Sequence, residues 1–229
     1  MKRKNILLLI AYFIISTNIL AKEFILPDYE QIQALGQTQY ETLLRRFQQQ
    51  DTTLSLTDFQ TVYYGSAFYG YLGSGVDRKE LDAAYEKGQN AFTSYLDKCL
   101  DKTPVDLNTI YYRWLVADNS NDTNNATKYA WMFNQLFDAI GATGDAASPQ
   151  TGLHVVSVAD EYAIIYQALG MSLEQQTLLT SECDLMEVVK KDGTKIKLYF
   201  DVQLVLALES QRFSDSNKPL HFTYHKHTK

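Results

Sequence analysis

The hydrophobic spacing changes once along this chain, and that change limits the fold more than any other feature. Up to Ile140 the apolar residues recur three and four apart. Leu81, Ala84, Tyr85, Gly88, Phe92, Tyr95, Leu96 and Cys99 share one face of a helix predicted from Arg78 to Leu100. From Cys183 onward the spacing becomes that of strands. Asp184 to Lys190 and Lys195 to Val202 are rich in Val, Ile, Tyr and Phe, and Asp192 with Gly193 supplies a tight hairpin turn between them. Helices first and strands last predict an α+β protein, predominantly α-helical, in which helical hairpins precede a small C-terminal antiparallel β element.

Turn and cap chemistry divides the helical part. Gly36 splits the apolar pattern of Tyr29 to Gln50 into one or two helices. Ser55 and Asp58 form a capping pair before a helix over Thr57 to Leu72, which Gly73, Ser74 and Gly75 end. Helices over Asp106 to Ala117 and Ala126 to Ile140 flank a loop, Asp118 to Asn125, whose Asp, Asn, Ser and Thr side chains compete with the backbone for hydrogen bonds. Gly141 to Gly152 reads as an open linker. Beyond it, His154 to Val156 is a strand candidate, Ser157 with Asp160 opens a helix that Gly170 ends, and Ser172 with Gln175 opens one more short helix. Val202 to Leu208 fits a strand or a helix, and the tail from Ser214 is polar apart from Leu220, Phe222 and Tyr224.

The first residues read as an address. Lys2, Arg3 and Lys4 precede an apolar stretch from Ile6 to Ile15, Ser16 to Asn18 are polar, and Ala21 closes a signal peptide over residues 1–21. A membrane span needs about 20 apolar residues, more than this run holds. No Cys near the cut could carry a lipid. The expectation is a periplasmic or secreted protein with no stable membrane anchor after cleavage. Residues 22–213 then form a single helical domain with a C-terminal β-hairpin at 184–202, and 214–229 a polar tail. A hydrophobic content of 45% is enough for an ordinary core. The net charge of −6, more negative once the basic leader is lost, repels phosphate backbones and argues against nucleic acid. A protein, peptide or glycan of the cell envelope remains as the expected partner.

Thr61 to Tyr64 is echoed by Thr109 to Tyr112, each near the start of a helix, which gives the helical part a weak tetratricopeptide-like character. Four blocks carry a wider resemblance: Tyr63 to Gly65; Gly144, Asp145 to Ser148, Thr151, His154 and Val155 to Tyr162; Cys183 to Val188; and Leu198 to Val202. Together they resemble an uncharacterised domain-of-unknown-function family of exported bacterial proteins, over about Phe59 to Val202. The resemblance implies a periplasmic or outer-surface location, helices first and a small β element last. It brings no activity, cofactor or catalytic residue with it.

Candidate sites are few. Tyr63, Tyr64, Tyr71, Tyr111 and Tyr112 could form a ring platform for a ligand, although rings at helical spacing more often pack a core. His221, His225 and His227 could hold a transition metal if the tail were a strand, against the reading of a solvated, frayed end. Cys99 and Cys183 could form one disulfide in an exported chain, stabilising it by roughly 4–5 kcal/mol. Cys99 also ends an apolar helical stripe, and that favours a core thiol. Asp118, Ser120, Asp122 and Asn124 alternate oxygens as calcium loops do, but lack the turn glycine and the closing carboxylate.

No nucleophile elbow, phosphate loop, zinc-protease helix, dinucleotide fingerprint or paired-Cys motif occurs, so no cofactor is expected. The leading expectation is an exported non-catalytic binding or scaffold module. Its rival is a cell-envelope hydrolase acting on a glycan or peptide, with Asp160, Glu161 or His154 in a cleft.

Overall fold

Helices begin in this chain where a short oxygen-bearing side chain can accept from the free amides of a first turn. Asp28, Ser55, Asp77, Asp106, Asp122 and Ser157 each do so three residues ahead, and Ser55 with Asp58 completes a reciprocal capping box. In a computed structural model, which describes residues 23–73, 76–214 and 220–227, these caps open α1 (Tyr29–Ala34), α3 (Leu56–Gly65), α4 (Arg78–Glu86), α6 (Leu107–Asn119), α7 (Thr123–Gly141) and α8 (Val158–Ala163). Two more helices, α2 (Gln37–Gln48) and α5 (Gln89–Lys102), start after Gly36 and Gly88 without a side-chain cap. The leader, residues 1–21, lies outside the described residues, as do the stop signals Ser74 and Gly75.

The strands are β1 (Leu153–His154), β2 (Ser172–Leu179), β3 (Cys183–Val189) and β4 (Lys195–Asp201), and α9 (Gln203–Ser214) follows the last of them. The sheet order is β1, β4, β3, β2, with β1 parallel to β4 and the other pairs antiparallel. The fold is therefore α+β and predominantly helical among the described residues, as the change of period predicts.

Several boundaries differ from those read in the sequence. The helix predicted from Arg78 to Leu100 is two, because Gly88 adopts φ +98, a left-handed backbone that only glycine takes without strain. The helix predicted to Leu72 stops at Gly65 and gives way to turns. Only residues 120–122 separate α6 from α7, and Asp122 caps the latter, so the acidic loop contracts to a tight corner. Ser172 and Gln175 do not start a helix: they belong to β2, which pairs along its length with β3 and is irregular between Leu173 and Gln175. The predicted two-stranded hairpin is thus the centre of a four-stranded sheet. Val202 to Leu208 resolves into the start of α9. Gly141 to Gly152 is not open, since Asp145 and Ala146 donate to Thr151 and Ala146 accepts from Tyr199 of β4.

The helices and the sheet share one apolar cluster. It includes Tyr40 and Phe47 of α2, Val62 to Tyr64 of α3, Ile110 of α6, Leu136 and Ile140 of α7, and Met186, Val188 and Phe200 of the sheet, all almost fully buried. The echoing Thr61 and Thr109 motifs lie on α3 and α6, and both helices pack against α7.

Candidate functional site

Side chains alternate across a strand, so register fixes which residues share a face of the sheet. On one face lie Gln176 and Leu178 of β2, Asp184 and Met186 of β3, and Leu198 and Phe200 of β4. Between this face and α9 runs an open cleft of about 340 Å³, lined by Val158, Gln176, Leu178, Asp184, Val202, Val205, Leu206 and Glu209. Five of these are apolar and two carry carboxyl groups.

Asp184 of the cleft lining belongs to a cluster of buried acids. Asp160 and Glu161 come from α8, and Asp184 comes from β3; all three are at most 4% exposed. Asp160 accepts from its cap partner Ser157 and from Tyr63 Oη at 2.8 Å. Burial, then the charge of Asp106, raises its pKa to about 7. Among the described residues, neither Glu161 oxygen and only one Asp184 oxygen has a hydrogen-bond partner. Burial, then the charges of Asp184 and Asp160, holds Glu161 protonated up to about pH 9. Neighbouring carboxyls raise the cost of ionising one another, and here Glu161 is the one held protonated. Gln176 donates through Nε2 to the other Asp184 oxygen at 2.6 Å and accepts through Oε1 from Tyr162 Oη, so a polar chain joins Asp184 to the surface.

The opposite face holds a second cluster. Cys183, Asp201 and His154 are register partners across β3, β4 and β1 and form one row. His154 shares a hydrogen bond of 3.0 Å with Tyr29 through Nδ1, and its Nε2 lies 3.8 Å from Asp201. His227 approaches the same carboxylate oxygen to 2.8 Å. Burial lowers the His154 pKa, against the raising effect of Asp201, and pushes the Cys183 thiol up to about 12. The row thus contains a neutral imidazole and a protonated thiol, which is not the state of an activated nucleophile.

The residues singled out in the sequence are mostly not brought together. Tyr63 and Tyr64 are fully buried and act as ties: Tyr63 reaches Asp160, and Tyr64 Oη donates to the His154 carbonyl at 3.0 Å. Tyr71 lies beside Tyr40 and donates to Glu41, while Tyr111 and Tyr112 pack near Phe133 and Phe92. Tyr63 meets Tyr64 and Tyr111 meets Tyr112, while Tyr71 lies on Tyr40, so the five rings form separate contacts rather than one platform. His221 and His225 are exposed and only His227 turns inward, so the tail histidines do not converge. Among the described residues no group of three or more His, Cys, Asp or Glu is placed to hold a metal. Cys99 on α5 and Cys183 on β3 are separate buried free thiols. The tail is not frayed at 220–227. Phe222 is 5% exposed and packs edge-on against Tyr29.

Sequence reasoning missed Asp184, Asp201 and Gln176 as site residues. Asp184 and Asp201 stood at strand ends where a carboxylate reads as a turn residue. Their burial was the missing signal.

A family model described as a domain of unknown function, DUF4919, matches residues 30–211. No curated protein and no solved structure matches the chain.

Proposed function

The chain belongs to this domain-of-unknown-function family, and from that premise we propose that it is an exported, non-catalytic binding module whose ligand seat is the cleft between the sheet and α9. One observation carries the reading: the cleft combines mainly apolar walls with a few polar groups, the composition and size of a small-ligand or side-chain pocket. The leader pattern at residues 1–21 supports export. The inaccessible acids support binding over catalysis, since a general acid must reach the atom it protonates. Glu161, the acid best suited to donate a proton, is 0% exposed.

The test is titration of isotope-labelled protein with panels of envelope peptides and glycans, read by amide shifts and by product analysis. Binding predicts shifts centred on Val205, Leu206 and Gln176 with ligand recovered intact. The hydrolase reading is favoured by the protonated Glu161, whose pKa is raised in part by Asp184 of the cleft lining. Cleavage of a panel member that is lost in Glu161→Gln would establish it instead.

A further inference from the structure

Among the described residues, β2 is the terminal strand of the sheet, with β3 as its strand neighbour. Six of its eight residues are exposed, and among the described residues no backbone hydrogen bond from another element reaches Ser172 to Leu178. Alternate residues of such a strand direct N–H and C=O groups outward, a template for another strand. Edges are commonly blunted by proline, lysine or a covering helix; the sequence SLEQQTLL contains neither residue. Register adds direction. Gln176 and Leu178 lie on the cleft side of the sheet and line the cleft, so residues of an added strand opposite them would point toward the same space.

We propose that β2 receives an extended peptide segment of a partner protein by strand addition, the segment placing an apolar residue and, two residues along, a lysine or arginine toward the cleft. The inference rests on the binding reading above and specifies the ligand class. The walls supply apolar contact through Val205, Leu206 and the 55% exposed Leu178, while the exposed Glu209 supplies a carboxyl group with no basic residue among the lining side chains. Charge complementarity selects a basic partner over a second copy of this chain. A second β2 would bring Glu174, its only charged residue, and no cation. Backbone pairing gives affinity in this mode, and the alternate side chains entering the cleft give specificity.

The experiment uses the synthetic peptide acetyl-Thr-Leu-Thr-Lys-Thr-Leu-Thr-Lys-amide, a version with glutamate replacing lysine, and a fully backbone N-methylated version. Binding is read by titration and by amide hydrogen exchange. The lysine peptide should slow exchange within 172–179, and each altered peptide should bind about tenfold more weakly or worse, a loss that follows from removing the charge or the backbone donors. Leu178→Lys, at an exposed rim position, should weaken the lysine peptide by about tenfold through repulsion, while Thr177→Lys on the opposite face should change it by less than about threefold. Equal binding of the N-methylated peptide, or unchanged exchange in β2, overturns strand addition. So does a homodimer that protects β2 without peptide, which would assign the edge to a second copy. Cyclohexylmethylamine separates the two readings. If it shifts Val205 and Leu206 while no peptide protects β2, the cleft reading stands and strand addition falls; if neither probe perturbs the cleft, both fall.

Discussion

Glu161 keeps its proton up to about pH 9 because burial, Asp184 and Asp160 all oppose its ionisation, and this makes stability depend on pH in a definite direction. The unfolded side chain titrates near its ordinary value of 4.5. Between these values the folded protein holds a proton that the unfolded chain has released. The Glu161 contribution is therefore complete below pH 4.5 and is lost progressively as pH rises toward 9. Asp160, raised from 3.8 to about 7, adds a slope of the same sign over its own range. Glu161→Gln should remove most of the larger slope, since an amide keeps the shape, has no proton to lose and can donate to the unpartnered Asp184 oxygen. The expected result is little change in melting temperature at pH 4 and a clear gain at pH 8; at pH 7 the gain is at most about 3 kcal/mol. Calorimetry at both pH values checks it, and a uniform effect would show that the Glu161 proton is not the cause.

Between elements, contact distance decides more than propensity does. Gly65 ends α3 against the ring of Tyr40 on α2, where an added Cβ would stand 2.4 Å from a ring carbon. The ring has no room to withdraw, because Tyr40 is fully buried and donates through Oη to the Val62 carbonyl. Gly65→Ala should cost about 1–3 kcal/mol by overpacking, measured as a fall in the urea midpoint at unchanged slope. Cys99 and Cys183 sit on α5 and β3 as separate thiols. Both should resist maleimide in the native protein and react with it in denaturant without reductant; protection that vanishes only on reduction would reveal a bridge. The helices were legible in the sequence because their caps are local and their apolar stripes bury on one side. β2 was not, since a mostly exposed edge strand shows no alternation and its Ser172 and Gln175 imitate a helix cap. The acid cluster was half legible. Asp160 and Glu161 were visible as neighbours, but Asp184 joins them through sheet register, which one sequence does not display.

Across the whole molecule, the chain's last described segment returns to cover residues near its beginning. Gln33 on α1 forms a two-point clamp with the backbone of Phe222, donating to its carbonyl at 2.9 Å and accepting from its amide at 2.8 Å. Gln203 on α9 repeats the device with His225. Between the clamps, the Tyr224 ring lies 4.9 Å from that of His154, and beyond them His227 meets Asp201. The segment thus shields His154 from water and brings a second imidazole near it. Both influences lower the His154 pKa, while Asp201 raises it. Deleting residues 220–229 removes the two lowering influences and leaves the raising one, so the His154 pKa should move upward. Phe222→Ala should move it the same way by a smaller amount, because loss of the buried ring loosens the cover without removing His227 from the chain. Ring-proton NMR titration of the three proteins measures the order directly. If the pKa is the same in all three while each remains folded, the segment does not control the environment of His154; a rise that is largest on deletion makes it the cover of the His154 and Asp201 row.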